Sequence, residues 1–160
     1  MKGKIVILWL GILLVILNSL VLQKEKTVRE GRTVLLELAP RDPRSLMQGD
    51  YMVLRYQLAQ DLTGPFPDQG KILLTLDPQG LVTRARLDDG SAPNENGQWL
   101  RFRNRNGLRI GAESFLFEEG TAASLSGAKY GELKVDPQGS SVLIGLRDAK
   151  LQLLGLPVIR

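Results

Sequence analysis

The chain has 160 residues and no cysteine, which excludes disulfides, cysteine-ligated metals and cysteine nucleophiles. It also has no histidine, so Ser-His-Asp triads and histidine-ligated zinc or haem are excluded. Lys2 and Lys4 account for half of the formal net charge of +4, because the other 19 basic residues nearly balance 17 acidic ones. We therefore expect no metal site, no cofactor and no general attraction to nucleic acid.

Residues 5–22 form an apolar run whose only polar members are Asn18 and Ser19. At 1.5 Å per residue the run covers about 27 Å, close to the hydrocarbon thickness of a bilayer. A cleaved signal peptide has a shorter apolar core of about 7–15 residues and then small residues at its cleavage site, which this run lacks. The sequence favours a transmembrane anchor at residues 1–22 over two alternatives, a cleaved signal and a buried soluble helix.

The orientation of this anchor follows less directly from the charges around it. Two lysines precede the apolar run, whereas four basic residues follow it within residues 23–32. The positive-inside rule, applied to these counts alone, puts the C-terminal domain in the cytoplasm. A very short tail before a long apolar run is instead typical of signal anchors, which leave that domain outside.

Beyond the anchor, residues 23–32 are a polar linker that can extend the helix and end it at Gly31, and residues 33–160 have the pattern of a β-domain. Residues 119–128 predict a short helix or an ordered loop. The predicted strands are 33–38, 51–59, 71–77, 81–87, 99–103, 108–117, 130–135, 141–146 and 150–159. The fold class is therefore mainly β, an antiparallel sandwich or partly closed barrel of about eight or nine strands.

Two features of this pattern are specific. The tetrapeptide Asp-Pro-Gln-Gly occurs at residues 77–80 and again at 136–139, which predicts two tight hairpins. In the strand at 51–59 the side chains alternate. Met52, Leu54, Tyr56 and Leu58 are predicted to face the core, and Tyr51, Val53, Arg55 and Gln57 the other side.

The segment Gly-Asp-Tyr-Met-Val-Leu-Arg-Tyr at residues 49–56 resembles the bacterial family named for its G-D-Y-x-x-L-x-Y motif, at all five specified positions. Residues 40–44 resemble that family's P-x-D-P-R approach, and residues 111–120 its second signature, with Phe where Tyr is common. The resemblance implies an inner-membrane, single-pass protein with a surface or periplasmic domain of unassigned biochemical role. It also implies a gene neighbour that encodes a multi-pass membrane protein, and it supplies no catalytic residue.

The loop before the motif contains the best candidates for a polar binding site. Asp42, Arg44, Asp50 and Tyr51 lie close together in sequence, and Arg44 is able to bridge either carboxylate. The alternative interpretation is a structural turn that these residues only hold in place. Ser45 raises a further alternative, a hydrolase with a serine and a lysine such as Lys71.

A second candidate surface is basic. Arg84, Arg86, Arg101 and Arg103 alternate on two strands predicted to be neighbours, and Arg105 and Arg109 extend the set. Such a face suits anionic lipid headgroups or an acidic partner surface. The alternative is a solvated sheet face balanced by Asp88, Asp89 and Glu95. An acidic cation site at Glu113, Glu118 and Glu119 is disfavoured, because these residues lack the spacing of a calcium loop.

Together these observations predict a non-enzymatic interaction module with two partners, the lipid bilayer and a multi-pass membrane protein. The alternative class is a histidine-independent hydrolase or peptidase that uses Ser45 or carboxylates. Retained function in Ser45→Ala favours the first class.

Overall fold

A computed structural model describes residues 2–39, 47–48, 51–105, 107–117 and 121–155 of the chain. Helix α1, Lys2–Glu30, carries the apolar run and continues through the predicted linker, as that segment's composition allows. The large hydrophobic side chains of residues 5–22 are 42–71% exposed. Within the described ranges, this is one helix long and apolar enough to cross a membrane. So much exposed apolar surface suits a bilayer and not water.

The remaining described elements are mostly strands. They are β1 Arg32–Glu37, β2 Met47–Gln48, β3 Tyr51–Val53, α2 Leu58–Asp61, β4 Gln69–Leu76, β5 Val82–Leu87, β6 Gly97–Asn104, β7 Leu108–Ile110, β8 Ser114–Leu116, a 3₁₀ turn Ala122–Leu125, β9 Tyr130–Val135, β10 Ser141–Arg147 and β11 Leu153–Leu154. The strands pair antiparallel into three sheets with the orders β1-β9-β10-β11, β2-β3-β8 and β5-β4-β6-β7. The mainly-β prediction is confirmed. Strands of two or three residues raise their number above the predicted one.

The two four-stranded sheets curl around one apolar core and meet along two edges. The Leu35 N–H donates to the Gly80 carbonyl at 2.8 Å, and the Arg101 N–H donates to the Gly139 carbonyl at 2.9 Å. These backbone bonds bridge sheets that otherwise have separate ladders. The result is the partly closed form that the sequence predicts. The most deeply buried core side chains include Val34, Ile72, Leu74, Leu100, Leu133 and Leu146.

Both predicted Asp-Pro-Gln-Gly hairpins are present, between β4 and β5 and between β9 and β10. The Asp77 carboxylate accepts the backbone N–H groups two and four residues later, both at 2.8 Å. Asp136 does the same at 2.9 and 2.8 Å. Gly80 and Gly139 have φ of 85° and 88°, a conformation in which a side chain is strained.

Three predicted strands are shorter than expected. The strand at 51–59 ends early, and Leu58–Asp61 form helix α2, where the Gln57 side chain donates to the Asp61 carboxylate at 2.7 Å. The segment 108–117 breaks at Gly111, whose φ of 63° directs β7 and β8 into different sheets. The last strand is limited to Leu153–Leu154, and residues 156–160 of that prediction lie outside the described residues.

The junction between α1 and β1 is tight. The Thr27 side chain is 5% exposed and donates to the Gln23 carbonyl at 3.0 Å. The Gly31 N–H donates to the Thr27 carbonyl at 2.9 Å, and the next residue, Arg32, already pairs with Val135 of β9. A Cβ on Gly31 would overlap the Thr27 oxygen and lie 3.0 Å from the Val135 nitrogen. The last turn of the helix is therefore packed directly onto the β-domain, with Gly31 alone between the helix and β1.

We predict that Gly31→Ala destabilises the β-domain by about 1–3 kcal/mol, because backbone on both sides of the junction has to move to admit the methyl group. Chemical denaturation of the full-length chain in neutral detergent micelles measures this. Gly11→Ala is the matched control, since a Cβ there meets no atom within 4 Å. Equal unfolding free energies for the two variants would contradict the prediction.

Candidate functional site

The motif segment 51–56 runs from β3 into the core. The side chains at its even-numbered positions are buried, with Met52 2%, Leu54 4% and Tyr56 3% exposed. The predicted core role of these residues is confirmed, because alternate side chains of an extended segment face the same side.

The motif pairs directly with the second signature. Met52 on β3 lies opposite Phe115 on β8. The Leu54 N–H donates to the Glu113 carbonyl at 2.7 Å, and the Tyr56 hydroxyl donates to the Ala112 carbonyl at 2.8 Å. The two segments that carry the family resemblance are thus one hydrogen-bonded unit.

Tyr56 is the centre of this unit. Its ring lies against Gly131 of β9, where a Cβ would come within 3.0 Å of the ring, and Tyr56 also forms a bridge with Leu38. Burial raises the pKa of the Tyr56 hydroxyl well above its ordinary value, and the nearby Glu113 charge adds to the effect. The hydroxyl therefore stays neutral and acts as a hydrogen-bond donor that joins strands.

The structure describes one of the four polar candidates, Tyr51, which is itself part of the motif. Tyr51 is 38% exposed on β3, directly opposite Leu116, which is 76% exposed on β8. Both project from the outer side of the small sheet, whereas Met52 and Phe115 are buried on its inner side. We call Tyr51 and Leu116 the exposed pair.

The other polar candidates, Asp42, Arg44 and Asp50, lie outside the described residues, and so does Ser45. The polar-loop site and the serine hydrolase therefore stay predictions.

The structure brings the four predicted arginines to one side of a sheet, but the prediction that their strands are neighbours was wrong. Arg84 and Arg86 lie on β5, and Arg101 and Arg103 lie on β6, with β4 between these strands. The two strands are not neighbours because β4 pairs with both. The four arginines still face one side, since opposite residues of antiparallel strands share a face. Register adds Lys71 and Arg109, so the basic face consists of Lys71, Arg84, Arg86, Arg101, Arg103 and Arg109.

Few carboxylates offset this face. Asp89 forms an ion pair with Arg86 and hydrogen bonds with Ser91, and these contacts lower the pKa of Asp89, those with Ser91 most. Asp88 and Glu95, also predicted to balance the face, form no ion pair with any described residue.

Glu113 bonds to Arg109 at 2.8 Å and so belongs to an ion pair. Glu118 and Glu119 lie outside the described residues. In the part of the chain that the structure describes, no three potential ligands cluster as a metal site.

One end of the basic face borders an open groove of about 1130 Å³ between α1 and the β6–β7 edge. Leu20 of the helix lines it, and Glu113 is its one carboxylate among the described lining residues. Six cations line this basic groove: Lys24, Lys71, Arg101, Arg103, Arg105 and Arg109. The contributions of Lys24 and Lys71 were missed in the sequence, because the position of β4 and the direction of the helix depend on tertiary packing.

A family model described as GDYXXLXY protein matches residues 13–146 of the chain, from the second half of the apolar run to β10. No match is found among curated proteins or among solved structures.

We predict that Tyr56→Phe lowers the unfolding free energy by about 1–2 kcal/mol, because the buried Ala112 carbonyl loses its donor. Chemical denaturation of the full-length chain measures the difference in unfolding free energy between the unmodified chain and the variant.

Tyr130→Phe is the control, since the half-buried Tyr130 hydroxyl donates to no described residue. The raised pKa of Tyr56 means that the folded state favours the neutral phenol. The unfolding free energy of the unmodified chain should therefore exceed that of Tyr56→Phe by a constant amount below about pH 10, and by a shrinking amount above it. A constant difference across that pH range would contradict the assigned burial.

Proposed function

Since this chain belongs to the GDYXXLXY family, we propose that it is an interaction module of a bacterial inner membrane. Helix α1 is its single-pass anchor, and the β-domain lies on the extracytoplasmic side. There it contacts a membrane-protein partner, in keeping with the multi-pass gene neighbour that the family resemblance implies.

The tight α1–β1 junction is the observation that carries this proposal. Thr27 is buried against the β-domain, and Gly31 leads directly into the strand that pairs with Val135. A flexible tether lets a domain sample many heights and orientations, whereas this junction presents one surface at one height above the bilayer. Such preorganisation lowers the entropic cost of binding a target in the same membrane.

The exposed pair is the surface that we assign to the partner. Tyrosine is enriched at protein interfaces, because its ring buries a large area at little conformational cost. Leu116 beside it offers apolar area that a partner would remove from water. Both residues lie on strands that the motif unit holds in register, so the surface is rigid.

The extracytoplasmic placement rests on the family resemblance, which implies a surface or periplasmic domain. We expect alkaline phosphatase fused after Arg160 to be active and a green fluorescent protein fused there to be dark. A bright fluorescent fusion with silent phosphatase would mean that the four basic residues after the run determine the topology and that the domain faces the cytoplasm.

The partner proposal predicts that a photoreactive amino acid at position 116 crosslinks to a membrane protein in intact membranes. Insertion of a flexible Gly-Ser segment between Glu30 and Gly31 should reduce this crosslink several-fold, because the anchor is kept and the fixed presentation is lost. The same insertion at Gly90, where the turn is exposed and open, is the control. Absence of a protein crosslink, or equal crosslinking after both insertions, would contradict the proposal.

A further inference from the structure

The basic groove holds much more positive charge than its surroundings neutralise. Arg109 is paired with Glu113, but the ion pairs of the described residues leave the other five cations of the groove without a carboxylate. Two of these five have other contacts: the Arg101 Nε donates to the Gln138 carbonyl at 3.1 Å, and the Lys71 Nζ lies 5.7 Å from the Trp99 ring centre. Clustered like charges repel one another, and an anionic ligand in the groove removes that repulsion.

The position of the groove along α1 indicates which class of anionic ligand it would meet. Leu20 and Lys24 both line it, and the apolar run ends at Leu22 between them. At about 1.5 Å per residue, Lys24 lies only about 3 Å beyond the hydrocarbon edge. The headgroup region on each side of a bilayer is roughly 5–8 Å thick, so the mouth of the groove opens at headgroup depth.

We propose that the basic groove binds the phosphodiester headgroups of anionic phospholipids in the membrane that α1 spans. Arginine matches phosphate oxygens with two parallel N–H groups, and lysine adds a mobile point charge. The exposed Leu20 at the lower edge gives the acyl chains an apolar exit toward the bilayer. Binding of this kind requires α1 to be the anchor, as in the proposed function, but it requires neither the protein partner nor one particular side of the membrane.

The test compares two double variants of the full-length chain. Arg103→Gln/Arg105→Gln removes two groove cations that form no ion pair with a described residue. Arg55→Gln/Lys150→Gln removes the same charge elsewhere, at residues that belong neither to the groove lining nor to the basic face. Arg55 is exposed, and its carbonyl accepts the Ala39 N–H beyond the end of β1 farthest from the α1 junction. Lys150 follows the corresponding end of β10. Far-UV circular dichroism checks that both variants keep the fold.

Native mass spectrometry from neutral micelles with equal amounts of phosphatidylglycerol and phosphatidylcholine gives the ratio of the two bound lipids. We expect the unmodified chain and the Arg55→Gln/Lys150→Gln control to retain phosphatidylglycerol preferentially. Arg103→Gln/Arg105→Gln should lower the ratio by on the order of tenfold or more, since one basic residue at an anionic surface contributes about fivefold. Equal ratios for the three proteins would overturn the proposal.

Two further arms separate lipid from other anions. Excess inorganic phosphate should leave the ratio unchanged, and displacement of phosphatidylglycerol to the level of the groove variant would make the groove a free-phosphate site. A photoreactive amino acid at position 71 should crosslink to phospholipid in native membranes. A crosslink there to protein alone would overturn the lipid assignment in favour of an acidic partner, whereas loss of the crosslink from position 116 affects only the proposed partner.

Discussion

The close packing of Gly31 between the Thr27 carbonyl and the backbone of Val135 joins α1 to the β-domain. There is no space for a side chain at that point, so the last turn of α1 is in direct contact with the backbone of β9. The distance of the β-domain from the apolar run and the position of the basic groove both depend on this contact. A glycine is required here for steric reasons, because the backbone of two elements meets where its Cβ would lie.

The described residues of the motif that names the family serve mainly to stabilise the fold. Leu54 and Tyr56 are buried, and their backbone and hydroxyl groups bond to the segment just before β8. One buried hydroxyl thus ties together segments that are more than fifty residues apart. Of the specified motif positions that the structure describes, Tyr51, Leu54 and Tyr56, the exposed one is Tyr51.

Period, turn chemistry and apolar length were sufficient to predict a helix long and apolar enough to span a membrane, the two hairpins and the mainly-β class. They failed where local signals conflict with tertiary packing. The alternation from Tyr51 continues smoothly through Leu58, so it gives no sign that Leu58–Asp61 turn into a helix. Gly111 was read as part of a strand, because its positive φ is required by the divergence of β7 and β8 and not by its neighbours in sequence.

The basic face was predicted in composition but not in layout. Sequence alternation correctly placed Arg84, Arg86, Arg101 and Arg103 on one side. The insertion of β4 between their strands is a matter of sheet order, which short-range patterns do not encode. The basic groove could not be predicted from the sequence for the same reason, since it depends on where the helix passes the β6–β7 edge.

The continuity of α1 from the apolar run to Gly31 has a consequence for the length of the segment between Leu22 and that glycine. Each α-helical residue turns the chain by about 100° and advances it by about 1.5 Å. Deletion of one residue in this segment would hardly change the distance between the β-domain and the apolar run. It would, however, rotate the domain by more than a quarter turn about the helix axis. A neighbour beside the anchor would then meet a different face. The length of the segment therefore sets the rotational orientation of the β-domain about the helix axis. Only insertions or deletions close to whole helical turns preserve that orientation.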